Sequence, residues 1–411
     1  MSRDFWHNVC VGLFTIVAAV GLFSGQPLLV AFGVMGLAAA AISWAWNRIA
    51  LEEVVYERRL DLRRVFVGET IAFDVLITNG KPLPLSWLEV TDHLDANLRV
   101  VSGDGPSNVY PNGPALRHTT SLAWYERVRW SYRVQCLRRG LYHLGPARLE
   151  AGDPFGFLRS SARQAEDDDI LVYPRVVPLE KLGIPAVRPL GEVKGGIELF
   201  RDLARPSGLR DYQAGDSLKM VDWKATARSQ KLAVRTFDPS SATTVILVVA
   251  VDTTEPYWTA YTPGDLERVI VASASFASYA TEQEYNLGLL VNDMPVHSDR
   301  LLTVPPGRGP DQYGHVLAEL ATIRDYATAP MWEHLAQHGR RFPVGSTLVV
   351  AAAFVSGDFA NVLKDLRRAG HRIVVAYVGT EPLMDLGPGI IVYKLAEHLD
   401  LPEAAIDPVA A

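Results

Sequence analysis

GLRDYQAGDSLKMVDWKATARSQKLAVRTF at residues 208–237, with VILVVAVD at 245–252 shortly after it, is the stretch on which the reading of this chain turns. The first part packs charged residues, Gly and Trp closely together. The second is a continuous apolar run, which suits a strand buried on both faces. From Thr243 onward strand-like and helix-like segments alternate. Residues 265–284 have helical periodicity, with Leu266, Ile270 and Phe276 among the apolar positions, and 285–291 read as a strand. Residues 312–323 read as a helix and 348–355 as a buried strand. An amphipathic helix follows at 359–369, capped by Gly370, and then a strand at 372–378. This alternation predicts a parallel sheet covered by helices over residues 241–411. Pro305 to Gly309 read as a loop.

Residues 51–178 have a different pattern. Strand-like runs at 71–78, 87–91, 129–135 and 170–173 alternate apolar and polar residues. Turn residues separate them: Asn79-Gly80, Pro82, Pro84, Asn112-Gly113-Pro114 and Arg139-Gly140. Short strands at this spacing predict an all-β sandwich of immunoglobulin-like type. Residues 179–240 then form a Pro- and Gly-rich linker together with the dense segment quoted above.

The N-terminal fifty residues are apolar in two runs, 5–23 and 28–46, joined by Ser24-Gly25-Gln26-Pro27. Each run spans roughly 28 Å as a helix, close to the hydrocarbon thickness of a bilayer. Trp6 lies near one end, and Trp44 and Trp46 near the other, where interfacial aromatics are expected. The turn has no small-x-small cleavage site and the second run follows at once, so the expectation is a transmembrane helical hairpin rather than a removed signal. Arg3 precedes the first run, while Arg48, Arg58, Arg59, Arg63 and Arg64 follow the second. The positive-inside rule then places the anchor in the inner (cytoplasmic) membrane, with two spans and with both termini and the soluble domains in the cytoplasm.

Across its 411 residues the chain carries a formal net charge of −6, which argues against a general nucleic-acid binder. Only Cys10 and Cys136 are present, so neither a disulfide framework nor a zinc spacing exists. His334 and His338 stand four apart on an expected helix, with no acidic ligand motif beside them, and read as an exposed face.

Gly208, Arg210, Tyr212, Gly215, Asp216, Lys219, Val221, Trp223, Ala227, Arg228, Leu232, Val234 and Phe237 recur at the spacing of a bacterial membrane-protein signature. By these residues the chain resembles the family known as domain of unknown function fifty-eight. Residues 139–146 and 153–157, read as turns that fix the sandwich, also resemble that family. The resemblance implies a von Willebrand factor A-like domain after the signature. It also implies an association with AAA-type ATPases of the MoxR class, which are thought to act as chaperones in assembling other complexes. The expected role is therefore a membrane-tethered adaptor that meets such an ATPase or its client protein as well as the lipid bilayer, with no enzyme activity and no nucleic-acid partner.

Two constellations offer chemistry. Domains of the von Willebrand A type hold a divalent cation through an Asp-x-Ser-x-Ser loop at a strand end. Here that end offers Asp252 and Thr254, with Pro256 where the second hydroxyl belongs, and a second loop offers Ser356 and Asp358. These four residues make a degenerate site for a weakly bound Mg²⁺ at most, since the loop lacks its second hydroxyl ligand. The rival reading is a cation-dependent adhesion module. In the signature, Asp211, Asp216, Asp222 and Lys224 raise the alternative of a metal-dependent hydrolase. The bland reading of the same segment is docking: Gly215-Asp216 as a tight turn, Arg210, Lys219 and Arg228 paired with carboxylates, and Trp223 burying its ring.

Overall fold

The computed structural model describes residues 5–103, 107–110, 113–156, 158–164, 168–185, 189–190, 201–211, 221–239, 243–258, 262–293 and 303–400. They group into two compact units, one ending at Pro174 and the other beginning at Arg175.

The first unit opens with two apolar helices, α1 (Phe5–Phe23) and α2 (Pro27–Ile49). Their packing depends on small residues: a methyl group on Gly33 would lie 2.6 Å from the Ala18 backbone nitrogen. Glycine at that point lets the two backbones approach closely. By length and composition α2 can cross a membrane, and α1 is apolar over Asn8–Phe23.

The strands that follow are β1 (Val54–Leu60), β2 (Arg64–Phe66), β3 (Thr70–Asn79), β4 (Leu85–His93), β5 (Leu98–Gly103), β6 (Ser107–Tyr110), β7 (Gly113–Leu122), β8 (Arg127–Cys136), β9 (Gly140–Leu144), β10 (Ala147–Gly152), β11 (Arg159–Gln164) and β12 (Asp168–Tyr173). Among the described residues they form sheets ordered β1-β3-β8-β5, β11-β10-β4-β7-β6 and β2-β12-β9. Alternate residues of the first two sheets share one core: Ile71, Phe73, Val75 and Ile77 from β3, Leu88 and Val90 from β4, and Leu149 and Ala151 from β10. The period-2 alternation seen in the sequence is thus the inward face of a two-sheet β structure. Residues 140–144, read as part of a turn, form β9 instead. Backbone pairing with Asp168–Val172 of β12 outweighs the Gly and Pro that bracket the segment.

One polar group sits inside this core. Arg58, on the inward face of β1, donates from Nε and a terminal nitrogen to the two oxygens of Asp92 on β4, at 2.8 Å each. Its other terminal nitrogen donates to the Leu144 carbonyl at 3.1 Å, and the Tyr56 hydroxyl also donates to Asp92. Burial, then the Asp92 charge, holds the Tyr56 hydroxyl well above its usual pKa, so it stays a donor. The pair bridges the two main sheets, with both side chains almost wholly out of solvent. Arg58 therefore faces the protein core rather than lipid headgroups, so of the five arginines counted after the second apolar run it does not act as a membrane-facing charge.

In the second unit, β13 (Arg201–Asp211), α3 (Trp223–Ser229) and β14 (Ala233–Pro239) precede β15 (Thr244–Val249), α4 (Pro263–Glu282), β16 (Asn286–Val291), β17 (Val304–Gly307), α5 (Gln312–Thr322), α6 (Met331–His338), β18 (Thr347–Ala352), α7 (Gly357–Arg368), β19 (Arg372–Tyr377) and β20 (Ile391–Lys394). A sheet ordered β17-β16-β15-β18-β19-β20 forms its centre, parallel throughout except for β17. Ile246, Val248, Leu348, Val350, Ile373 and Val375 pack on α6 and α7 through Met331, Leu335, Phe359 and Leu363. α4 contributes nothing to that cluster and packs on β15, β16, β18 and β19. Gly370, at φ +95°, follows α7 as the sequence suggested, because only glycine takes that conformation without strain. Val304–Gly307 belongs to the sheet as an edge strand rather than to a loop, with an irregular register against β16. Proline is tolerated there because an edge needs fewer donors.

Arg58→Met leaves the Asp92 carboxylate buried without its cation. We expect it to destabilise the first unit by about 3–5 kcal/mol in chemical denaturation of the detergent-solubilised chain. Arg59→Met, whose side chain is 61 % exposed, is expected to change stability by less than about 1 kcal/mol.

Candidate functional site

The signature segment begins on a β-hairpin. Gly208 and Arg210 lie on β13, opposite Thr236 and Val234 of β14. Tyr212, Gly215, Asp216 and Lys219 lie outside the described residues. Asp222 is the N-cap of α3: its Oδ1 accepts from the Lys224 and Ala225 backbone N–H groups at 3.1 and 3.0 Å. Asp is favoured at this position because its side-chain oxygen satisfies N–H groups that the helix leaves unpaired. Gln230, at φ +54°, ends the helix, and the Thr226 hydroxyl accepts from the Ala233 N–H at 3.1 Å, closing the segment onto β14. Val221 and Val234 pair across the hairpin and are buried.

Trp223 does not bury its ring as the sequence reading had it. At the first position of α3 it is 64 % exposed. The cap fixes the start of the helix so that the apolar face of Val221 turns inward and the next side chains, Trp223 and Lys224, turn out. Arg228 is exposed in the last turn, where a cation suits the negative end of the helix.

The second candidate is the carboxyl edge of the parallel sheet. Strand order reverses direction between β15 and β18, and open α/β sheets place ligands outside the strand ends at such a point. Asp252 and Thr254 follow β15, and Ser356 and Asp358 follow β18, so the fold brings all four to neighbouring strand ends. The polar atoms of Asp252 and Ser356 are already engaged. Asp252 is buried; Oδ1 accepts from Asn292 Nδ2 at 2.7 Å and Oδ2 from the Met331 N–H at 3.3 Å. It thereby caps α6, whose own N-cap residue, Pro330, makes no side-chain bond. Ser356 caps α7, accepting from the Phe359 N–H at 3.2 Å. Asp358 is exposed in the first turn of α7, and Thr254 is half-buried. Pro256 brings no side-chain oxygen, and among the described residues no three His, Cys, Asp or Glu side chains cluster as metal ligands. This donor set does not fit a resident Mg²⁺, which takes near-octahedral oxygen coordination.

Asn292, at the end of β16, is the residue the sequence reading missed. It is fully buried; its Oδ1 accepts from the Val251 N–H at 2.8 Å, and its Nδ2 donates to Asp252 and to the Ala329 carbonyl. Its own carbonyl accepts from the Thr328 N–H at 3.0 Å. One amide thus ties the loop after β15 to the segment that leads into α6. The available signal was an amide directly after the apolar run LGLLV, where a polar group cannot stay buried without partners.

Burial pushes the Asp252 carboxyl up to about 6, against the pull of the Asn292 and Met331 donors. His334 and His338, expected on an exposed face, are buried on α6. Neither ring nitrogen of His334 has a hydrogen-bond partner among the described residues. Burial first, and then the neighbouring His338, push His334 down to about 4. The apolar stripe of α6, Met331 and Leu335, carries the two histidines inward with it.

The architecture is that of a multidomain chain: an N-terminal apolar helix, a many-stranded β body, and a hairpin signature that feeds an α/β parallel sheet. Residues 208–383, from within β13 to just past β19, match the family described as protein of unknown function DUF58. The uncharacterised protein YeaD of Bacillus subtilis (strain 168) is 23 % identical over 201 residues, which is 47 % of this chain and 46 % of YeaD. The chain therefore matches about half the length of that relative. Among solved structures, the cupredoxin domain of amoB from Nitrosocaldus yellowstonii aligns with 29 % of this chain and 87 % of its own, at 12 % identity and a TM-score of 0.20. The third cohesin ScaC from Acetivibrio cellulolyticus aligns with 29 % of this chain and 99 % of its own, at 11 % identity and a TM-score of 0.20. Likenesses at this level carry no argument about fold or function.

The two titrating groups act in opposite directions. His334, at about 4 when folded against about 6.5 unfolded, contributes stability that is whole above pH 6.5 and is lost as pH falls toward 4. Asp252, raised to about 6, contributes stability that is whole below its unfolded value and is lost as pH rises through 6. Denaturation midpoints measured from pH 7 to 4.5 should show a shallower acid-side loss for His334→Leu than for the unmodified chain.

Proposed function

We propose that this chain is a membrane-tethered adaptor whose signature segment is a docking surface for a protein partner. The observation that carries the reading is Trp223, held 64 % exposed at the start of a helix whose cap and closure come from neighbouring residues of the signature. Tryptophan is the residue type most enriched among binding hot spots. An exposed one on a locally rigid helix is better suited to an interface than to a core. A hydrolytic role for the signature is less well supported, because Asp222 has its oxygen committed to the α3 backbone.

The partner in this reading is an AAA-type ATPase of the MoxR class, or that ATPase's client, as the signature implies. Both α1 and α2 cross the inner membrane as a hairpin, and the soluble units face the cytoplasm. The sheet of the second unit is a von Willebrand factor A-like body in which Asp252 and Ser356 have become internal caps, and the first unit's β body is an immunoglobulin-like sandwich. An ion held weakly at the strand ends is no part of the mechanism: binding depends on shape and on aromatic burial at the partner surface.

Affinity purification of the full chain from detergent extracts, with and without ATP, is expected to recover an ATPase of this class. Trp223→Ala should lower that recovery at least tenfold, about 1.4 kcal/mol, while leaving the thermal unfolding profile unchanged. Recovery of no ATPase under either nucleotide condition, or equal recovery with Trp223→Ala, would count against the adaptor reading and the Trp223 surface respectively.

A further inference from the structure

The β body of the first unit is joined to α2 at two levels. At the helix end, the buried Lys81 ammonium donates to the carbonyls of Ala50 and Glu52, and the Gly80 N–H donates to Glu53 at 2.9 Å. Inside the helix, the Ser43 hydroxyl donates to Asp153 Oδ2 at 2.6 Å. Ser43 lies six residues before Ile49, or about 9 Å back along the axis. Ala50, at the helix end, belongs to the β core, and Trp46, between the two levels, packs against that core.

Strand register shows which end of the β body this is. Val54 pairs with Asn79, Thr78 with Arg127, Leu85 with Leu122, and Gly152 with both Trp87 and Arg159. The start of β1, the turn after β3, the turn between β7 and β8, and the turn after β10 therefore all lie at the end that meets α2. Two of these turns carry exposed aromatic rings. Trp124 and Tyr125 are 67 % and 66 % exposed, and Phe155 is 51 % exposed.

Both turns are held firmly. Asn79 Nδ2 donates to the Ala123 carbonyl at 2.9 Å, and the Tyr125 N–H donates to Lys81, the residue that grips the end of α2. Tyr125 has φ +56°, a conformation that a bulky residue rarely adopts. In the other turn, the Phe155 N–H donates at 3.1 Å to the same Asp153 oxygen that accepts from Ser43. The Phe155 nitrogen thus lies within about 6 Å of a hydroxyl inside the apolar helix. On α2 itself Trp44 is 54 % exposed one residue further on, with the Arg48 guanidinium 5.8 Å over its ring.

We propose that the β body is seated on the bilayer that α2 crosses, with Trp124, Tyr125 and Phe155 joining Trp44 in the layer between headgroups and acyl chains. α2 has 23 residues, about 35 Å, against a hydrocarbon thickness of about 30 Å. A clamp at Ser43 leaves no length of bare helix to hold the β body off the surface. Trp and Tyr favour this layer because their rings are apolar and their N–H and O–H groups stay hydrated. The occupant is the lipid interface of that same membrane. The inference rests on α2 being a span.

The test keeps the two apart. The full chain carries Cys10→Ala; Cys136 stays, since burial pushes its thiol up to about 12 and removes it from labelling. Single nitroxide labels at Trp124→Cys, Phe155→Cys, Val34→Cys on α2, and Leu62→Cys at the far end of β1 are examined in phospholipid nanodiscs. Collision accessibility to oxygen and to a water-soluble nickel chelate is measured at each site. We expect the label at 34 in hydrocarbon, the labels at 124 and 155 at headgroup depth with several-fold lower nickel accessibility than at 62, and the label at 62 in water. If 34 is in hydrocarbon while 124 and 155 match 62, the seating is wrong and the anchor stands. If 34 itself is in water, the anchor fails, and the seating fails with it.

Discussion

Arg58 and Asp92 set the geometry of the first unit. Two charges without solvent are tolerable only if each is fully engaged, and here the guanidinium meets both carboxylate oxygens and a carbonyl. A slip of β1 by one residue would turn Arg58 out of the core and leave Asp92 alone. The pair therefore pins β1 against β3 and ties one sheet to the other. Because β1 starts at Val54, it also decides where α2 ends relative to the turn that bears Lys81. The position of the apolar helix against the β body descends from this one register.

Carboxylates play the same part elsewhere. Asp153 organises its own turn and accepts from Ser43, Asp222 starts α3, and Asp252 starts α6 while receiving Asn292. Each uses its oxygens on backbone or amide donors, as buried or capping oxygens must. The signature and the β turns also offer aromatic rings outward: Trp223 on one unit, beside the exposed Lys224 and Arg228, and Trp124 and Tyr125 on the other.

The sequence was most legible where one periodicity ran unbroken. β15, α4, β18, α7 and β19 lie within a few residues of where their apolar patterns put them, and Gly370 falls where a left-handed residue was needed. Val304–Gly307 was missed because two prolines signal a loop unless the strand lies at an edge, and edge position follows from tertiary order alone. Short α6 was expected around His334 and His338, but its start was not legible, because its cap comes from Asp252, seventy-nine residues away, and not from a local Ser or Asp. The role of Asn292 was hidden in the same way, since its partners Val251, Asp252 and Ala329 lie 41, 40 and 37 residues away. Trp223 was read as inward because Trp is usually buried, whereas the cap at Asp222 sets the rotation of α3. In the degenerate ion loop, the missing hydroxyl at Pro256 was visible in the sequence, but the diversion of Asp252 and Ser356 into helix caps was not.

The prolines of β17 have a consequence for how the molecule behaves in a crowded solution. An outermost strand ordinarily presents a ladder of unused N–H groups that can recruit a strand from another chain. At Pro305 and Pro306 there is no hydrogen to give, and the irregular register against β16 bends the ladder further. That rim of the sheet cannot serve as a template, so the α/β body is protected against edge-to-edge growth on this side even when many copies are concentrated together.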